Sequence, residues 1–169
     1  MSKDVNLKLK AETKEDLDIL SAYLQDAIFP ISTMIFDKDD SSFTLMANRF
    51  CWEKEQEEHD GIKYNHRIHT ALSFKDVKII YRRGFSKEDD VERSLSILTI
   101  YVDETNSDGH KIHLVFSSGK EICLIVEKIN CFFADLEEPW LSPAKPEHIH
   151  DIVQDDEENN LTNDNKGSI

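Results

Sequence analysis

At 169 residues the chain has the size of one domain with its own core, too short for two comfortable ones. Thirty-four acidic against twenty basic side chains leave a formal charge of −14, which excludes a general polyanion binder; the densest basic stretch, Lys75, Lys78, Arg82, Arg83 and Lys87, is diluted by Asp76, Glu88, Asp89 and Asp90. No run approaches the roughly 20 apolar residues of a membrane span, and Met1-Ser2-Lys3-Asp4-Val5-Asn6 lacks the apolar centre of a signal peptide, so a cytoplasmic protein is expected.

Val5 to Lys10 alternates Val5, Leu7 and Leu9 with polar residues and predicts a short strand. Thr13 follows as a helix N-cap, with Asp16 three places on in a variant capping box and Glu15 beside it at the positive end of the dipole. Leu17, Leu20, Leu24, Ala27 and Ile28 form the apolar stripe. Phe29 precedes Pro30, which disfavours helical backbone, so the helix is expected to end there.

Ile31–Phe36 and Phe43–Phe50 read as strands joined by the polar turn Asp37 to Ser42. The charged connector Glu53 to Gly61 reads as a solvated loop or a short helical extension. Ile62, Tyr64, His66, Ile68, Thr70, Leu72 and Phe74 then keep a two-residue period over a long strand, resumed by Val77, Ile79 and Tyr81 after a bulge or bend at Lys75-Asp76. Gly84 to Arg93 is a polar loop, and Leu95 to Val102 is a strand rich in β-branched and aromatic residues.

A hairpin centres the rest. Ile112, Leu114 and Phe116 alternate on one strand and Ile122, Leu124 and Val126 on the next. A three-residue loop, Ser117-Ser118-Gly119 with Gly119 left-handed, pairs Phe116 with Lys120, Leu114 with Ile122 and Ile112 with Leu124, gathering the apolar set on one face. A two-residue turn would slip the register and split that set. Ile129, Phe132, Phe133 and Leu136 then recur at i, i+3, i+4 and i+7, which predicts an amphipathic helix stopped by Pro139 and laid on the sheet. From Asp151 to Ile169 six acids and almost no large apolar side chains predict a disordered acidic tail.

This order predicts a single α+β domain over 1–148, with the tail at 149–169. Its mainly antiparallel sheet has seven to eight strands, carries an N-terminal and a C-terminal helix, and suits a partly closed barrel of pleckstrin-homology type.

No phosphate loop, nucleophile elbow or metalloprotease motif is present. Cys51, Cys123 and Cys131 are widely spaced and read as reduced, buried thiols. His66 and His69, or His110 and His113, point to opposite faces of a strand. His148 and His150 sit at the edge of the tail, so no metal and no cofactor are expected. The better candidate is Asn48-Arg49-Phe50-Cys51-Trp52-Glu53. Arg49 continues the apolar face of Phe43, Leu45 and Ala47, and its guanidinium, always charged, requires an acidic or carbonyl partner. Gln25 and Asp26 at the end of the first helix are the expected partners. Two readings stand side by side: a structural ion pair lidded by Trp52, or an anion or peptide-carboxylate pocket with Arg49 as fork donor and Trp52 as wall.

The same residues carry a resemblance. Asn48-Arg49-Phe50-x-Trp52-Glu53, Leu7-Lys8-Leu9, the helix Glu15 to Ala27 with its Leu24-Gln25-Asp26-Ala27 end, Leu114-x-Phe116-Ser117-x-Gly119-x-x-Ile122-x-Leu124-x-Val126-Glu127 and Pro146-Glu147-His148 resemble an uncharacterised alphaproteobacterial family of small proteins, a domain of unknown function. Similar proteins often carry a second Gly where this one has Ser118, a departure the turn absorbs through Gly119. The resemblance implies a soluble bacterial cytoplasmic protein and transfers no activity. Two functions are therefore expected in order. The first is a non-catalytic module binding a protein or peptide, with neither nucleic acid nor membrane as partner. The second is a binder of, or enzyme acting on, a small anionic metabolite through Arg49, Asn48, Trp52, Gln25, Asp26 and His66.

Overall fold

The structure is a computed structural model that describes residues 6–106 and 108–144. Strand β1 (Lys8–Ala11) leads into helix α1 (Lys14–Leu24), and the capping box forms as the sequence predicts. The Thr13 hydroxyl accepts from the Asp16 N–H at 3.1 Å, and Asp16 Oδ2 accepts from the Thr13 N–H at 3.1 Å. Leu17, Leu20 and Leu24 are buried along one side of α1. The helix is shorter than expected. Gln25 is extended and Asp26 is left-handed at φ 63°, so Ala27 reaches the core outside the helix and Ile28 opens a strand.

That strand is β2 (Ile28–Pro30). A 3-10 turn, Ile31–Thr33, and β3 (Ile35–Asp37) replace the single strand expected over Ile31–Phe36. There follow β4 (Ser42–Phe50), β5 (Glu57–His59), β6 (Ile62–Phe74) and β7 (Val77–Arg83). After them come β8 (Ser94–Asn106), β9 (Gly109–Phe116), β10 (Glu121–Val126) and β11 (Cys131–Pro143). The charged connector thus holds a strand, β5, turned onto β6 by Asp60 and Gly61, both at positive φ.

The strands form one antiparallel sheet in the order β1-β11-β6-β4-β2-β8-β9-β10-β7, with β3 added to β4 and β5 to β6. It is not closed into a barrel, which corrects the pleckstrin-homology expectation, and its eleven strands exceed the seven to eight expected. Three-residue β2 is the link between two halves, pairing Ile28 with Asn48 on one side and with Ser96 on the other. Inward side chains of both halves share one core with α1: Leu45 and Phe74 from the first, Ile97, Leu114 and Leu124 from the second, Leu17 and Leu20 from the helix. Phe29 of β2 meets Phe116 edge-on at 4.9 Å in the middle of it.

The central hairpin has the predicted register. The Phe116 N–H donates to the Lys120 carbonyl at 2.8 Å, Leu114 faces Ile122 and Ile112 faces Leu124. Gly119 is left-handed at φ 68°, and Ser118 joins it at φ 63°. The bend at Lys75-Asp76 is a crossover: Asp76 is left-handed at φ 57°, and the chain leaves β6 in one half to pair β7 with β10 at the far edge of the other.

The largest correction is at the end of the chain. Cys131–Pro143 is a strand, not a helix, clasped between β1 and β6. Ile129, Cys131, Phe133 and Asp135 are all buried, a two-residue period, whereas Phe132 is 42 % exposed. The helical stripe was an accident of Ile129, Phe132, Phe133 and Leu136. The true period was hidden because one of its inward positions holds an aspartate. A left-handed Glu137 at φ 62° and a register shift between Leu136 and Trp140 bend β11, after which Trp140 pairs with Arg67. The predicted tail, with His148 and His150, lies outside the described residues.

Candidate functional site

Strands β4, β6 and β11 carry two arginines on opposite faces. Arg49, inward on β4, is 1 % exposed and uses all five of its N–H donors within the chain. Its Nε donates to Asp135 Oδ1 at 2.9 Å and its Nη2 to Asp135 Oδ2 at 2.7 Å. Nη2 and Nη1 also donate to Glu53 at 2.7 and 3.0 Å, and Nη1 to the Phe50 carbonyl at 3.0 Å. Asp135 is as fully engaged, since it accepts in addition from the Thr70 hydroxyl at 2.8 Å and the Leu7 N–H at 3.1 Å. Tyr23 of α1 and Phe133 lie 5.5 Å from the guanidinium. Burial by itself lowers the Arg49 pKa, but the hydrogen bonds and charges of Asp135 and Glu53 outweigh it and push the value above the ordinary range. The Cys51 thiol beside it moves up, chiefly through burial and against the pull of Arg49. The cleft at this point is about 20 Å³, room for no more than a water.

Arg67, outward on β6, sits in the opposite situation. It is only 9 % exposed, yet among the described residues no carboxylate pairs with it. Its guanidinium lies 3.9 Å from the Phe50 ring centroid, and Nη1 donates a short hydrogen bond to Asn48 Oδ1. Burial, with no opposing charge, lowers its pKa. The register sets Phe50 on one side of it and Trp140 on the other. Trp140 packs against His69 at 4.7 Å, and Trp52, 54 % exposed, packs against Phe50 at 5.1 Å. Met46 and Phe132 continue the exposed apolar surface along the same face.

The residues singled out from sequence therefore divide. Arg49 has the structural ion pair that its position demanded, but with Asp135 and Glu53; the expected partners Gln25 and Asp26 are exposed at the end of α1 and do not touch it. Trp52 and Asn48 point to the other side of the sheet, so Arg49 and Trp52 do not share a pocket. Asn48 instead accepts from Arg67, and Trp52 packs on Phe50, the ring that Arg67 lies over. His66 meets Glu57 at 3.1 Å and leaves its Nδ1 buried without a partner. Arg67 was missed, although β6 showed its signal: it is the one arginine among the outward positions Lys63, Asn65, Arg67, His69, Ala71 and Ser73 of a strand whose other face is the core.

Residues 7–148 match the family described as "Protein of unknown function (DUF2948)". The chain belongs to that family. The match spans β1 to the end of β11, so it includes both arginines and every strand of the sheet. Neither the curated proteins nor the solved structures gave a match to the chain. No helix among the described residues is long and apolar enough to cross a membrane.

Proposed function

We propose that this DUF2948 protein is a non-catalytic binding module of the bacterial cytoplasm, alphaproteobacterial by its motifs, which recognises a protein or peptide through the outer face of β4, β6 and β11. The observation that supports it is Arg67. A buried guanidinium normally has a carboxylate partner, because desolvating a charge without one is costly. Arg67 has a single neutral acceptor, Asn48, and is held flat by Phe50, which leaves its fork pre-set for a planar anion. Trp52, which packs on Phe50, and Met46 and Phe132 farther along the same face are the side chains that anchor interfaces when a partner dehydrates them. The ligand this favours is a peptide segment that places an acidic side chain or a C-terminal carboxylate beside apolar residues.

A random peptide library selected on the wild type and counter-selected on Arg67→Met tests this. The expected outcome is a carboxylate-plus-apolar consensus whose binding falls at least about tenfold in Arg67→Met and Trp52→Ala and weakens as salt rises. No consensus, or one indifferent to both variants, overturns it. Anionic metabolites that raise the melting temperature of the wild type but not of Arg67→Met, with no peptide selected, would place a small-molecule site on the same arginine.

A further inference from the structure

In the other half of the sheet, the register lines up Tyr81 of β7, Cys123 of β10, His113 of β9 and Tyr101 of β8 as one row across the outer face. The row is set by the core, since Ile112, Leu114, Ile122 and Leu124 turn inward and oblige His113 and Cys123 to point out. The His113 imidazole is fixed on every side. Tyr101 stacks flat on it, 4.8 Å away at 7°, and Nδ1 makes a short contact to Glu121 Oε1. Nε2 faces Asp103 Oδ2 at 3.3 Å and Cys123 Sγ at 4.0 Å. Arg83 holds Glu121 from the far side. A hollow of about 190 Å³ opens alongside, lined by Tyr81, Arg82, Arg83, Glu121 and Cys123.

We propose that Cys123 is a nucleophilic thiol that exchanges with small anionic disulfides, with His113 as the base that takes its proton. With Nδ1–H donated to Glu121, Nε2 lies between the Asp103 carboxylate and the thiol. A proton given up by Sγ is then held on Nε2 against Asp103, an arrangement in which a base serves a nucleophile and neighbouring carboxylates orient and charge-balance that base. The imidazolium that results has Glu121 and Asp103 as counter-ions. The thiolate attacks one sulfur of the disulfide and its S–S bond breaks. A mixed disulfide forms on Cys123, and the departing thiolate leaves as a thiol with the proton from His113. The incoming disulfide is the only oxidant required. Arg82 and Arg83 at the hollow favour a disulfide that carries carboxylates. Cys51 and Cys131 contrast with this thiol: both are buried, and burial raises both.

The test uses the full chain and two probes, dithiobis-nitrobenzoate, which is dianionic, and dithiodipyridine, which is uncharged. Brief exposure followed by peptide mass mapping should place the label on Cys123, with Cys51 and Cys131 labelled only after denaturation. His113→Gln should slow both probes by at least about tenfold. Arg82→Gln should slow the dianionic probe alone. Should His113→Gln not fold, the wild type suffices. The rate at native Cys123, relative to the same thiol in denaturant, should grow as pH falls from about 8.5, where an ordinary thiol is half ionised, toward 6. The groups facing Cys123 that shape this profile are Tyr81 and Arg83 of β7, Glu121 of β10, His113 of β9 and Asp103 of β8. A ratio indifferent to pH, a Cys123 no faster than in the unfolded chain, or a folded His113→Gln with unchanged rates overturns the proposal. The site lies away from Arg67, so either reading can fail while the other stands.

Discussion

Arg49 and Arg67 lie in neighbouring strands of the same sheet, and both are nearly inaccessible to water, at 1 % and 9 % exposure. The first meets two carboxylates and a carbonyl; the second meets an aromatic ring and one amide oxygen. Burial alone therefore does not separate a structural arginine from one available for binding. The partners do. Where the chain supplies acceptors for all five donors, the charge belongs to the fold. Where it supplies one, the remaining donors have no carboxylate among the described residues and are left to solvent or to a ligand.

The contrast can be broken first from the inside. Asp135→Ala should cost about 3–5 kcal/mol in denaturant unfolding, because it strands Arg49 and leaves Thr70 and the Leu7 N–H without their acceptor. An effect below about 1 kcal/mol would mean that Glu53 alone satisfies the guanidinium. Phe133 and Phe132 give the same comparison in apolar form. Phe133→Ala, at 1 % exposure, should cost about 3–5 kcal/mol. Phe132→Ala, 42 % exposed, should cost less than about 1.5 kcal/mol, where the helix expected from sequence required both to be large.

On the outer face, Arg67→Met should leave stability within about 1 kcal/mol of wild type, since the flexible side chain keeps most of the packing on Phe50 and removes an uncompensated buried charge. Smallest is the acid response of Glu53. Burial tends to raise its pKa from the ordinary 4.5, but Arg49 wins and holds it lower. A carboxyl depressed in the folded state contributes stability above its unfolded value and loses it as pH falls through the folded one. The stability gap between wild type and Glu53→Gln should thus be present at neutral pH and close in acid below about pH 4.5. Because Glu53 keeps contact with solvent, the gap should be under about 1 kcal/mol. Urea midpoints for the two proteins across that range measure it.

Much of this was legible residue by residue. The capping box at Thr13 and Asp16, the long period of β6 and the Leu114–Ile122 register depend on neighbours close in sequence or on a hairpin a few residues long. β11 was not legible, and neither was the partner of Arg49, for a single reason. Arg49 and Asp135 each occupy an inward strand position with a charge, separated by 86 residues, and each looks like a break in its own pattern until the other is beside it. The aspartate masked the two-residue period of Cys131 to Asp135, so four apolar side chains read as a helix face instead. Arg67 escaped notice differently. An outward arginine looks solvated in a sequence, and only Phe50 and Trp140, brought in from β4 and β11, bury it.

The amino-acid order by itself determined where the chain alternates, where it turns and how the first helix begins, since those follow from side-chain period and local hydrogen bonds. Which charges neutralise each other and which face stays open was decided by strand order. A sheet brings together residues far apart in the chain, and the free energy of a buried charge depends on those neighbours rather than on the residues next to it in sequence.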